Sequence, residues 1–111
     1  MLNVMLRSRL KIRARREVQA MFVGDIDPAD ARFVCGAAVN HALWLHGKSG
    51  AEADVDLAGL VDFSVRSHVM DLMGWEPALA GRLSPYGNEA INLMVDEGQR
   101  EQIKACFGPT S

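Results

Sequence analysis

The stretch from Asp56 to Gly74 constrains the fold of this chain more than any other. Its apolar side chains recur at three- and four-residue steps, a spacing that stacks them on one face of an α-helix. They are Leu57, Leu60, Val61, Val65, Val69, Leu72 and Met73. Asp56 can cap the first turn through its carboxylate, and Gly74 can close the last turn in the left-handed conformation. Because so apolar a face must be covered, the other segments have to supply its packing partners.

A second helix is predicted over residues 28–46. Asp27 can cap it, Pro28 suits the first helical position, and Asp30 favours the positive end of the helix dipole. Small and apolar residues then share one face, and Gly47 follows the last of them. The residues on that face are Ala31, Val34, Ala38, His41, Ala42 and Leu45.

The N-terminal segment fits two structures. Apolar and basic residues alternate over residues 3–15, which is a strand pattern. The same segment also has a row of apolar residues at every fourth position, which is a helical pattern. That row is Leu6, Leu10, Ala14, Val18 and Phe22. The composition, rich in Arg, Leu, Ala and Met, favours a helix over residues 2–23, and a strand stays as the alternative.

The C-terminal segment is predicted as a helix over residues 88–107, weakened in its middle by Gly98. The alternative is a strand over 91–95 followed by a shorter helix. The chain therefore predicts one mainly α domain over residues 1–111. Its four helices cover approximately 2–23, 28–46, 56–73 and 88–107, each followed by a glycine, and short connections favour antiparallel neighbours. An α+β fold is the alternative.

Composition excludes several classes of protein. Apolar residues make up 49% of the chain, too many for a disordered tail. No apolar run approaches the roughly 20 residues that a membrane span needs, and the N-terminus has no secretory signal. Cys35 and Cys106 are too few for a disulfide scaffold. We therefore expect a cytoplasmic protein with free thiols.

The net charge of −2 conceals a division along the chain. One segment carries six cations and no acid, and the remainder carries a net charge of −8. The cations are Arg7, Arg9, Lys11, Arg13, Arg15 and Arg16. Such a segment could neutralise several phosphates, so nucleic-acid binding through residues 7–16 is one functional hypothesis. The opposite interpretation is a helix face that is solvated or paired with acids of its own domain.

Signals of catalysis or metal binding are sparse. His41 and His68 fall on core-facing stripes, and Cys35 lies on the same helix as His41. Imidazole and thiolate are metal ligands, so these three residues are the weak candidates for a metal site or a small enzyme. No nucleophile elbow, phosphate loop or paired metal-ligand motif accompanies them. We expect no cofactor, and the sequence favours a binding protein over an enzyme.

The remaining candidates form an acidic and aromatic surface. Acids cluster at the starts of the second and third helices, where they can attract a basic partner. Trp and Tyr near helix ends are frequent interface anchors. The predicted interface residues are Asp54, Asp56, Asp62, Trp44, Trp75 and Tyr86. The first hypothesis is a small regulatory protein, an inhibitor or adaptor, that acts by contact with another protein. Self-association is compatible with it.

Overall fold

The described part of the chain, residues 2–48 and 56–107, folds into four α-helices and one short 3₁₀ helix in a computed structural model. The helices are α1 (Leu2–Met21), α2 (Pro28–Lys48), α3 (Leu57–Trp75) and α4 (Pro85–Phe107), and the 3₁₀ helix is Pro77–Arg82. The structure describes the backbone of residues 2–48 and 56–107 and the side chains of residues 4–47 and 56–98. The predicted mainly α fold is confirmed.

Helix α1 settles the ambiguity of the N-terminal segment. Leu10, Ala14 and Val18 are buried, as the four-residue row requires, whereas Ile12 is exposed. A strand over 3–15 would have placed Ile12 on the same side as Leu10, so that alternative is wrong. The strand near 91–95 is wrong as well, because α4 is continuous through these residues and through Gly98. Within the described backbone the one extended pairing is an isolated bridge between Phe22 and Leu83.

The predicted caps of α2 and α3 are confirmed. The Asp27 carboxylate accepts a hydrogen bond from the amide of Ala29 at 2.8 Å, and that of Asp56 accepts from Ala58 at 3.1 Å. Each bond satisfies an amide that lacks a partner within its own helix, which fixes where the helix begins.

The predicted role of Gly74 is wrong. Gly74 lies inside α3, which ends at Trp75 and has Glu76 as its C-cap residue. The stop comes from Pro77, because a residue that precedes proline is forced out of helical conformation. Gly47 likewise lies inside its helix, whereas Gly24 adopts a positive φ of 75° in the connection after α1.

Helix α4 begins three residues earlier than predicted. The Ser84 hydroxyl accepts a hydrogen bond from the amide of Gly87 at 3.0 Å and donates one to the carbonyl of Ala20. Pro85 then occupies the first helical position, where its missing N–H costs nothing. Serine followed by proline is a helix-start signal that was present in the sequence.

Helices α1, α2 and α3 pack against one another around a common core. Helices α1 and α3 run parallel, since Arg13 contacts Asp62 and Glu17 contacts Arg66. Helix α4 packs by its first turns, through Ala90 and Ile91. The side chains buried within the three packed helices are Leu10, Ala14, Glu17, Val18, Met21, Val34, Cys35, Ala38, Val39, Ala42, Val61, Ser64, Val65 and Val69. None of the described helices has the length and hydropathy of a membrane span.

Candidate protein-binding surface

A stripe of side chains on α2 meets a stripe of side chains on α3 where the two helices pack, and each stripe has residues at three- and four-residue steps. We call this surface the α2–α3 groove, defined by Phe33, Ala37, His41 and Trp44 of α2 and Ser64, His68, Asp71 and Trp75 of α3. Ser64 is fully buried and Ala37, His41 and His68 are half-buried, whereas the other four, Phe33, Trp44, Asp71 and Trp75, are exposed.

Two contacts show how α2 and α3 are aligned along the groove. The rings of His41 and His68 meet edge to face with their centroids 5.5 Å apart. Farther along, the carboxyl groups of Asp30 and Glu76 are near enough for Asp30 to raise the pKa of Glu76. The helices are therefore antiparallel, as predicted. Because Phe33 is one turn from Asp30 on α2, Phe33 and Trp75 lie at the same end of the groove, and Trp44 lies at the other.

Large aromatic side chains are exposed in the α2–α3 groove and beside it. Trp75 is 86% exposed, Phe33 67% and Trp44 57%, while Phe63 on the adjoining turn of α3 is 44% exposed. Trp44 also packs against the His41 ring, with centroids 6.3 Å apart. The two tryptophans were candidates from the sequence. Phe33 and Phe63 were missed, although both lie off the apolar stripes of their helices and could have been recognised by that position.

Polar groups without partners lie in the middle of the groove and beneath it. His41 Nδ1, His68 Nε2 and the Ser64 hydroxyl are buried atoms that have no hydrogen-bond partner among the described residues. Ser64 and His68 are one turn apart on α3 and share a face. Burial lowers the pKa of His68, the neighbouring His41 lowers it further, and Asp71 acts against both.

Acidic groups surround the Trp75 end. The neighbouring Asp30 carboxyl raises the pKa of the Glu76 carboxyl, and the nearby charge of Asp27 acts in the same direction. Two carboxyl groups this close repel each other when both are ionised, so a cation placed beside them would be attracted. Asp71 adds a third acid to the groove itself.

The three acidic residues that the sequence predicted at the interface do not belong to the groove as the structure describes it. Asp56 is the cap of α3. Asp62 accepts two hydrogen bonds from the Arg13 guanidinium, at 2.8 and 3.1 Å. Asp54 lies outside the described residues. The acidic and aromatic surface therefore centres on Asp30, Asp71 and Glu76 rather than on the predicted acids.

Tyr86 belongs to an internal network and not to the groove. Its hydroxyl donates to Glu17 Oε1 at 2.6 Å and accepts from Arg66 Nη2 at 2.6 Å, while Arg66 Nε donates to the same carboxylate at 3.2 Å. Glu17 is buried, and the guanidinium also lies over the Tyr86 ring at 5.7 Å. We call this set the Glu17–Arg66–Tyr86 network; it ties α1, α3 and α4 together.

The six cations of the basic segment lie on more than one side of α1. Arg13 pairs with Asp62, and Arg7 donates to the side chain of Asn40 at 2.9 Å. The other four side chains, Arg9, Lys11, Arg15 and Arg16, are exposed and spread around α1. Lys11 and Arg15 turn towards α2, and Arg9 and Arg16 turn away from it. Nucleic-acid binding by residues 7–16 stays a prediction, with two of its six residues engaged within the domain.

The three candidate metal ligands are only partly brought together. His41 and His68 are neighbours, but Cys35 lies on another side of α2, in a cleft beside α1. Among the described residues no set of three or more His, Cys, Asp or Glu side chains converges on a point where a metal could bind.

The buried histidine makes the fold sensitive to acid. In the unfolded chain His68 has a pKa near 6.5, and in the folded chain its pKa is lower. As the pH falls below the unfolded value, the unfolded chain takes up the proton first, so the free energy of unfolding decreases. We expect urea denaturation to show lower stability at about pH 5.5 than at about pH 7.5. His68→Gln should reduce that difference, and an undiminished difference would contradict the role of His68.

Comparisons with known proteins add nothing to these observations, because no protein family, curated protein or solved structure matches the chain.

Proposed function

We propose that this domain is a non-catalytic binding protein whose α2–α3 groove holds a basic, apolar helix of another protein. The observation that supports this most directly is the alignment of three exposed aromatic side chains, Phe33, Trp44 and Trp75, along one groove. Soluble proteins seldom expose a contiguous apolar patch of large side chains unless the patch is an interaction site. Tryptophan is also among the residues that contribute most to binding energy at interfaces.

The helical walls and the charge of the groove support one class of partner. An amphipathic helix can lie along the surface where two antiparallel helices meet and contact both through residues at three- and four-residue steps. The formal charges at the groove and at its Trp75 end are Asp30, Asp71 and Glu76, all acidic. Arg32 and Arg66 are the basic residues of α2 and α3 whose side chains the structure describes, and both turn towards α1. A helix with leucines on one face and lysines beside them complements both properties.

The partner-free polar atoms fit the same interpretation. A buried hydroxyl or imidazole nitrogen without a hydrogen bond lowers stability by about 1–3 kcal/mol. His41 Nδ1 and His68 Nε2 are buried atoms of two residues that belong to the groove, and a polar side chain of a bound helix could pair with them once the rings rotate towards it. The expected complex therefore has an apolar contact at each end and a polar contact in the middle.

A designed peptide tests the groove directly. The probe is an amphipathic helical peptide that contains leucine and lysine but no tryptophan, and the control peptide carries glutamate in place of every lysine. Because the protein's own tryptophans lie at the two ends of the groove, binding of the lysine peptide should shift their fluorescence. Trp75→Ala and Phe33→Ala should each weaken binding by about tenfold or more, which corresponds to about 1.4 kcal/mol.

Ile12→Ala is the matched control variant. Ile12 is an exposed apolar side chain on α1, outside the groove, and its replacement should leave peptide affinity unchanged. The proposal fails if the glutamate peptide binds as well as the lysine peptide, or if Trp75→Ala binds like the wild type. It also fails if sedimentation equilibrium finds a dimer that Trp75→Ala dissociates, because the groove would then be occupied by a second copy.

A further inference from the structure

A second concave site lies between α1 and α2, separate from the α2–α3 groove. Its cavity volume is about 520 Å³, which is within the range of small-molecule sites in proteins. The floor is apolar and consists of Val18, Phe22, Ile26 and Ala31. We call this site the α1–α2 cleft.

The cleft exists because α2 has small residues where it faces α1. Ala31, Cys35 and Gly36 line it and cannot fill the space beneath the long side chains of α1. A Cβ built on Gly36 would meet no atom within 4 Å. Burial raises the pKa of the Cys35 thiol, while the charge of Arg15 acts to lower it. Val18, Phe22 and Ile26 of the floor are themselves buried, so the floor is shielded from water although a cation lies close to it.

Cations stand at the rim of this apolar floor. Lys11 and Arg15, one turn apart on α1, line the cleft together with Arg32 of α2. Among the described side chains none of the three has a hydrogen-bond or ion-pair partner, in contrast to Arg13 of the same helix, which is paired with Asp62. Asp25 also lines the cleft, so the net charge around it is +2. Cations around an apolar concave floor favour a ligand that combines an apolar body with a negative group.

We propose that the α1–α2 cleft binds a small amphiphilic anion, whose hydrocarbon chain lies on Val18, Phe22 and Ile26 and whose carboxylate or phosphate meets Lys11, Arg15 and Arg32. Carboxylates and phosphates accept charge-assisted hydrogen bonds from such side chains, and arginine can bind them through two N–H groups at once. The hydrocarbon chain gains from leaving water. This inference does not depend on the proposed function of the α2–α3 groove.

Calorimetric titration of the full chain with decanoate and with decyl phosphate tests the proposal, with decanol as the neutral control. The anions should bind and decanol should bind at least about tenfold more weakly. Whichever anion binds more tightly identifies the head group as carboxylate or phosphate. Equal affinity for decanol would overturn the proposal, because the rim cations would then contribute nothing.

Variants assign the binding to this cleft. The triple variant Lys11→Gln, Arg15→Gln and Arg32→Gln should bind decanoate at least about tenfold more weakly. The matched control is Arg9→Gln with Arg16→Gln, which removes two cations from the same helix outside the cleft and should retain the affinity. If both variants lose affinity equally, the effect is that of overall charge and the proposal is wrong.

Gly36→Leu blocks the cleft without endangering the fold. The new side chain would enter the empty space, and leucine is a better helix former than glycine by up to about 1 kcal/mol. The variant should therefore be at least as stable as the wild type and should not bind decanoate. In a Cys106→Ser background, decanoate should also slow the reaction of Cys35 with a thiol reagent. Binding that persists in Gly36→Leu would overturn the proposal.

Discussion

Replacing Gly87 by alanine is expected to lower the free energy of unfolding by about 3 kcal/mol, the upper end of what overpacking usually costs. A Cβ at Gly87 would lie 2.1 Å from the carbonyl oxygen of Met21. That oxygen belongs to backbone and accepts a hydrogen bond from the amide of Ser84 at 2.8 Å, so it cannot move aside without breaking the bond. The first turn of α4 would have to separate from the end of α1.

Gly98→Ala in the same helix is the control. A Cβ there meets no described atom within 4 Å, and alanine is the better helix former by about 1 kcal/mol. Urea denaturation of the two variants should therefore show changes of opposite sign. A Gly87→Ala variant as stable as the wild type would show that α4 does not approach α1 as closely as described.

Replacing Glu17 by alanine is expected to lower the free energy of unfolding by about 2 kcal/mol. The carboxylate is buried and accepts from both Tyr86 and Arg66, and its removal leaves a half-buried guanidinium without its counter-charge. The loss should be smaller than for a fully buried pair because Arg66 retains some contact with solvent. Glu17→Gln keeps an acceptor oxygen in place and should cost less.

A titration of Tyr86 separates this network from simple packing. Tyr86 is the one tyrosine of the chain, so the ionisation seen by ultraviolet absorbance reports it alone. Burial and the hydrogen bond to Glu17 raise the pKa of Tyr86, and Arg66 acts in the opposite direction. In Glu17→Ala the pKa of Tyr86 should fall. An unchanged pKa would mean that, in solution, the Glu17 carboxylate does not accept a hydrogen bond from the Tyr86 hydroxyl.

Helix-capping and residue-spacing rules predicted the parts of this fold that depend on residues close together in the sequence. The caps at Asp27 and Asp56 need only a carboxylate two residues before a free amide, and the buried row of α1 needs only its four-residue spacing. These features were readable in the sequence because each is decided within one or two helical turns.

Features that depend on register between helices could not be predicted in the same way. The sequence does not show that Trp75 lies beside the start of α2. It also does not show that Asp62 pairs with Arg13 instead of joining the acidic surface. Tyr86 was assigned to an interface from its position in a Gly/Pro-rich loop, and it is 42% exposed. Its hydrogen-bond partners Glu17 and Arg66 could not be predicted because they lie on other helices. Lys11, Arg15 and Arg32 likewise come together only once α1 and α2 are packed.

The bridge between Phe22 and Leu83 has a consequence for the order of folding. It joins residues on either side of a chain loop that contains both α2 and α3, and closing so long a loop costs more entropy than pairing two adjacent helices. We therefore expect α2 and α3 to pair first and the start of α4 to dock late. In stopped-flow experiments Gly87→Ala should then mainly accelerate unfolding, and a variant that instead slowed folding would place this docking in the transition state.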